Sequence, residues 1–192
     1  HIPDVRLLAV DPSPTMHALC RQVVQESHCA PMHHLPFPDE SIDVVICLAG
    51  LHHEPRLRDV FIEIFRVLDK DGRLAIGEVD ADTPAAAFLN GFVHEHSSMG
   101  HEGAFFDETY RENLRRAGFS IAEDRLAQYH WQFSSGRDLG HCLSLMFGID
   151  RASPDEVFSA AERILGIDRL GNGAIGMRWQ LRHVLCRKEA SA

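Results

Sequence analysis

Two histidines, His52 and His53, close the apolar run in LPFPDESIDVVICLAGLHHEP. Histidine titrates near neutral pH, so a pair at a strand end suits a general base, and it equally suits polar closure of a strand. A carboxylate, Asp11, closes VRLLAVD in the same way. It can accept two hydrogen bonds from the vicinal hydroxyls of a ribose, or it can open a helix-entry turn with Ser13 as cap. His130 is a further candidate base. In HEHSSMGHE the residues His94, Glu95, His96 and His101 could be taken as metal ligands. Their spacing matches no zinc signature, so the stretch reads as a polar helix end and no metal site is expected. Trp131, Phe133, Met146, Phe147 and Trp179 suit either an apolar acceptor pocket or the core beneath the last strands.

The elements that must position these residues follow from periodicity. VRLLAVD and DVVICLA read as short buried strands, and RLAIGEV, after the turn DKDG, as a third. Between them Met16, Leu19, Cys20, Val23 and Val24 share one helical face, as do Leu57, Val60, Phe61, Ile64, Val67 and Leu68. Apolar strands alternating with amphipathic helices imply right-handed crossovers and a parallel sheet. The second half changes character. A helix over Thr83 to His96 is interrupted by Gly91, and DETYRENLRRAG is a helix with an Asp cap and a Gly stop. FSIAEDRLAQYHWQF and GMRWQLRHVLCRK are strands, separated by two helices, RDLGHCLSLMFG and SPDEVFSAAERILG, where a hairpin would suffice. The second of these helices opens with a capping box and proline.

The 192 residues suggest one domain. A formal net charge of −9 without a Lys/Arg cluster argues against nucleic acid. No apolar run approaches the ~20 residues of a membrane span. Five scattered cysteines without a CxxC pair fit a reducing compartment, so a cytoplasmic location is expected.

Three blocks taken together, LLAVDPSPTM, LPFPDESIDVVICLAGLHH and FIEIFRVLDKDGRLAIGE, resemble the class I S-adenosylmethionine-dependent methyltransferases, within them the type 11 small-molecule group. A looser match is ETYRENLRRAGFSI. A nicotinamide dinucleotide fold accounts for Asp11 but not for the later blocks. The resemblance implies a Rossmann-like α/β sheet, mostly parallel with an antiparallel C-terminal strand and helices on both faces. It implies S-adenosylmethionine as cofactor and a small-molecule methyl acceptor as partner. It assigns Asp11, with Pro12, to the ribose, Met16 and the Pro31-Met32 loop to the adenine, and Leu48 and Ala49 to the sulfonium end. His52 and His53, the candidate catalytic residues, then lead toward the acceptor. Two departures stand out. The family's glycine-rich loop precedes the Asp11 strand and would lie ahead of this sequence, so the chain starting at His1 is expected to hold the cofactor weakly. The family's usual acidic adenine ligand is replaced by Ala30, Pro31 and Met32, which weakens adenine recognition or leaves it to backbone groups.

The expected function is methyl transfer to a small molecule. The alternative is a protein that kept the fold for binding or assembly and lost the reaction. Segments 83–106 and 137–173 are expected to cap the acceptor site, because long connections in compact domains are commonly functional. The amphipathic faces of the second segment could instead cover the sheet flank or pair two copies as a homodimer.

Overall fold

The computed structural model describes residues 5–171 and 173–189. It contains two sheets. The smaller pairs β1 (Leu8–Asp11) in parallel with β2 (Glu26–Cys29), and α1 (Pro14–Cys20) lies between them in sequence. Strand β2, ESHC, has no apolar pattern and was not expected as a strand.

The larger sheet has the order β3-β4-β7-β5, with β6 added to β7. Strand β3 (Ile42–Leu48) runs parallel to β4 (Leu68–Glu78), joined by the crossover helix α2 (Leu57–Val67). Strand β7 (Ile175–Lys188) is antiparallel to β4 and to β5 (Phe119–Phe133), and β6 (Ile167–Arg169) is antiparallel to β7. The result is a mixed α/β sheet, mostly parallel with an antiparallel C-terminal strand. The expected DKDG turn lies inside β4 as an irregularity: Ile42 pairs with Leu68 but Val44 with Arg73, so the turn bulges from the ladder.

Helix α2 presents Val60, Phe61 and Ile64 to a core that also holds Leu74, Ile76, Leu114, Phe119 and Val184, and Val67 is buried too. Burial of each such side chain stabilises the fold by roughly 1.5–3 kcal/mol. Helix α5 (Glu108–Arg116), capped by Asp107 as expected, adds Tyr110 and Leu114 to the same core. A second core joins α3 (Pro84–Ala87), a π-helical stretch (Phe88–Val93) that runs on into α4 (His94–His96), α6 (Gly136–Phe147) and α7 (Pro154–Ile164) to Trp179 and Met177 of β7, with no residue of α4 itself buried in it. The capping box of α7 forms as read: Ser153 accepts from the Glu156 amide and Glu156 accepts from the Ser153 amide.

Two expectations of burial are corrected. Strand β3 buries one face only: Val45 and Cys47 pack on the first core, while Ile46 and Leu48 remain 72% and 67% exposed. Helix α1 ends at Cys20, and Met16, Leu19 and Val23 are exposed.

The turn before β3 and helix α2 are held together by one side chain. Arg66 donates to the Leu35 and Phe37 carbonyls at 3.2 and 2.9 Å, to Asp39 at 2.6 Å, and to both oxygens of Glu63 at 2.7 and 2.9 Å. Glu63 in turn accepts from the Leu35 amide at 2.8 Å. The LPFPD and RVL blocks of the sequence are therefore two halves of one clamp. Arg66→Ala should lower the unfolding free energy by roughly 1.5–3 kcal/mol, the scale of a hydrogen bond to a charged group, in urea titration. The Arg66 guanidinium holds the Glu63 carboxyl below its ordinary value of 4.5. That stabilisation is present above the unfolded value and is lost as pH falls through the lower folded value. Glu63→Gln should accordingly flatten the fall of stability below about pH 4.5, and an unchanged acid limb would contradict the clamp.

Candidate active site

The site lies beyond the carboxyl ends of β3 and β4, where open α/β sheets bind ligands. At the end of β4 the Glu78 side chain is fully buried. Its carboxyl group accepts from the Leu51 amide at 3.1 Å, the Val79 amide at 2.8 Å and His52 Nδ1 at 2.9 Å. Since Nδ1 donates to this carboxyl, the neutral His52 ring keeps its lone pair on Nε2. At the end of β3, Ala49 adopts φ +47°, a conformation costly for a residue with a Cβ, and its amide donates to the Gly77 carbonyl at 2.7 Å.

The loop after α4 folds back over these strand ends. The Ala104 amide donates to the His52 carbonyl at 2.8 Å, and the Phe106 amide to the Val79 carbonyl at 2.8 Å. Gly103 permits the approach: a Cβ there would meet the Phe105 ring at 2.7 Å and His52 Cδ2 at 3.1 Å. From the π-helical stretch, Asn90 donates to the Gly103 carbonyl and accepts from the Gly103 amide, both at 2.9 Å. This fixes which end of the amide is oxygen, and that oxygen takes the Nδ1–H of His101 at 2.9 Å. The loop thereby delivers His101 to the strand-end pair. The ring centroids of His53 and His101 are 4.9 Å apart and those of His52 and His53 4.2 Å apart. Desolvation by burial, followed by the neighbouring His53 and His52, pushes His101 down to about 4. Desolvation, then His52, likewise lowers His53. His101 is accordingly neutral at pH 7.

These histidines form the polar end of a cavity of about 1030 Å³. Leu48 and Ala49 contribute the β3 end, Leu89, Met99 and His101 the segment after β4, and Met146 and Phe147 the end of α6. Its far wall is aromatic: Trp131 of β5 stacks on Trp179 of β7 at 4.8 Å, and Phe147 lies 6.1 Å from Trp179. The volume is at the upper end of the range for small-molecule sites.

Of the residues singled out from sequence, the cavity brings together Leu48, Ala49, His52, His53, Trp131, Met146, Phe147 and Trp179. Phe133 packs on the second core instead. His130 is not part of the lining, because Asp168 holds its Nε2 at 2.8 Å. Asp11, Pro12, Met16, Pro31 and Met32 stand outside the cavity on the β1–β2 side. Met32 is packed on the first core, and Asp11 accepts from the Ser13 amide at 2.7 Å. His94 and His96 spend ring nitrogens on the carbonyls of His101 and Phe92 at 3.0 and 2.9 Å, as suits a helix end. His101 separates from that group to join His52 and His53. Sequence reading did not single out Glu78 or Asn90. The signal for Glu78 was a carboxylate closing the third apolar strand at the same edge as His52; Asn90 carried none.

A mixed sheet of this order, with its ligand cavity at the β3 and β4 ends, is the architecture of the class I methyltransferases. Residues 3–76 match the methyltransferase domain family of type 11. The chain is 30% identical over 154 residues to an arsenite methyltransferase of Halobacterium salinarum, covering 73% of this chain and 39% of that relative. It is 36% identical over 98 residues to the 27-O-demethylrifamycin SV methyltransferase of Amycolatopsis mediterranei, covering 50% of this chain and 36% of that one. The chain thus spans less than half the length of these curated relatives. The crystal structure of the YcgJ protein of Bacillus subtilis superposes with a TM-score of 0.63 at 16% identity, covering 96% of this chain and 82% of that one. Residues 3–76 thus carry the sequence of the methyltransferase domain family, and the fold over nearly the whole chain is that of the class I methyltransferases.

Both tryptophans of the chain line the cavity. Intrinsic fluorescence should therefore report occupancy without background. A small aromatic solute should quench or shift the emission saturably. Leu181→Arg, which puts a charge into the lining, should abolish the response, and an identical titration in that variant would show that the solute binds elsewhere.

Proposed function

We propose that this chain carries out methyl transfer from S-adenosylmethionine to a small, largely apolar acceptor seated in the cavity, at a heteroatom brought to its histidine end. The observation that carries the reading is the His52–Glu78 pair opening onto an aromatic-walled cavity beside the strained end of β3.

The residues present fit the cofactor. One Asp11 oxygen accepts the Ser13 amide, and the other has no partner among the described residues, which suits a ribose hydroxyl. Leu48 and Ala49, where the backbone is forced into a left-handed turn at the cavity edge, suit the reactive end. Pro12, Met16, Pro31 and Met32 are assigned to the adenosine side by the family resemblance alone. When bound, S-adenosylmethionine supplies a methyl group already activated by its positive sulfur. The work left to the chain is alignment and proton removal. His52 Nε2 accepts the proton of an acceptor hydroxyl or amine, while Glu78 holds Nδ1–H and stabilises the imidazolium that forms. Segments 83–106 and 137–173 cap the acceptor. One relative is named for a transfer at oxygen, which supports a heteroatom acceptor of this kind.

The test is incubation with methyl-labelled cofactor and a panel of aromatic alcohols, phenols and amines. Label should reach an acceptor, and His52→Ala should slow transfer by about 10²–10⁴-fold with the cofactor dissociation constant unchanged. Acceptor binding without any transfer would favour a fold retained for binding.

In the full-length protein, Asp11→Ala should weaken binding of S-adenosylhomocysteine by roughly 1.5–3 kcal/mol, about ten- to a hundredfold in calorimetry. An unaltered dissociation constant would remove Asp11 from the ribose.

A further inference from the structure

Three imidazoles converge at the polar end of the cavity, and one ring nitrogen from each of His52, His53 and His101 lies within 4.8 Å of the other two. We propose that these three histidines form a binding site for a divalent d-block cation of the zinc class, with an open coordination position facing the cavity.

The argument is geometric. Two metal–nitrogen bonds of about 2.0–2.1 Å place their nitrogens roughly 3–4 Å apart, a distance these rings reach by small side-chain rotations. Imidazole ligands suit zinc, cobalt, nickel and iron, and three protein ligands with a free position are the pattern of sites that bind an exogenous group. Metal-binding histidines need an outer partner that fixes which nitrogen stays bare. Two of the three rings have one. Glu78 accepts His52 Nδ1–H at 2.9 Å, and the Asn90 oxygen accepts His101 Nδ1–H at 2.9 Å. Both partners are themselves held: Glu78 is buried and bonded to two amides, and Asn90 is locked by both polar groups of Gly103. Partners for the outer nitrogens alone would serve any buried histidine. Three rings from two separate segments, converging on one point with two of them tied through Nδ1, are the arrangement a cation requires.

The site deepens the methyl-transfer reading by naming what its acceptor carries. A ligand that fills both the apolar cavity and the open position has an anionic or lone-pair donor, such as a phenolate, thiolate or carboxylate, on an aromatic or polycyclic body. With the ion bound, the lone pair of His52 is committed to it, and loss of a proton from the acceptor donor is driven by the cation's charge rather than by imidazole.

Chelator-treated protein titrated with cobalt(II) should take up one equivalent and develop the visible d–d absorption of a nitrogen-ligated site, with zinc(II) displacing it. His53→Ala and His101→Ala should each remove the spectrum. Asn90→Ala, which touches no ion, should weaken cobalt binding about 10–100-fold while leaving the fold intact by circular dichroism. His141→Ala, on exposed helix surface, should bind as the parent does. Absence of a cobalt spectrum, or one that survives His53→Ala and His101→Ala together, overturns the site. These readouts involve no methyl transfer. A cobalt site in a chain that transfers no methyl group would refute the enzymatic reading and leave the metal site standing. Transfer by a chain that binds no cobalt would do the reverse and return the proton to His52.

Discussion

A carboxyl group buried away from water must have its hydrogen bonds met within the protein, because leaving one unmet costs on the order of 1–3 kcal/mol. Glu78 meets this demand in one way only. It binds the Leu51 amide, its neighbour's amide and the His52 ring, and so ties the end of β4 to the turn that follows β3. The rest of the site depends on this knot. It fixes the His52 tautomer, and with it the face that His52 turns to the cavity. It also sets the strand ends against which the loop carrying His101 is laid.

Positioning here is done from outside inward. Asn90 sits in a π-helical stretch, where the wider turn shifts the register of side chains along an otherwise continuous helix. From there it reads both polar groups of Gly103, and Gly103 alone lets the loop lie against His52. Arg66 plays the matching part on the other side of β3. It uses a planar array of donors to hold the turn that enters the strand. Neither residue touches the cavity, yet together they determine where β3 begins and what lies over its end.

The cavity has two chemical halves. Its far wall is largely apolar and aromatic, drawn from β5, β7 and the end of α6, with Tyr129 and His183 as polar groups on those strands, while three histidines gather beyond the end of β3. This separation favours one orientation for any solute with an apolar body and a single polar group. An apolar body is driven to the tryptophans, and a polar group on it is left facing the histidines. The insertion between β5 and β7 serves this division. α6 and α7 bury their apolar faces against each other and the π-helical stretch, and the last turn of α6 is left at the cavity mouth.

The sequence by itself determined the alternation of strands and helices, the long β5, the caps of α5 and α7, and the strand end at Asp11, whereas β3 ends at Leu48 and His52 stands in the turn beyond it. These depend on local periodicity and turn chemistry, which neighbouring residues encode. It also carried the blocks around Arg66, although not the clamp that unites them. Only the tertiary structure decided the composition of the site. His101 reads as one of several helix-end histidines because its partners stand some fifty positions away, and no spacing rule spans a loop laid back across a sheet. Glu78 looks like the polar end of a strand until the sheet sets it beneath His52. Trp131 and Trp179 could be core or cavity, since an apolar side chain is the same in either, and the choice rests on which surfaces the connecting helices cover. The exposed faces of β3 and α1 make the same point in reverse. An apolar pattern states a demand for burial, but the packing of other elements decides whether it is met.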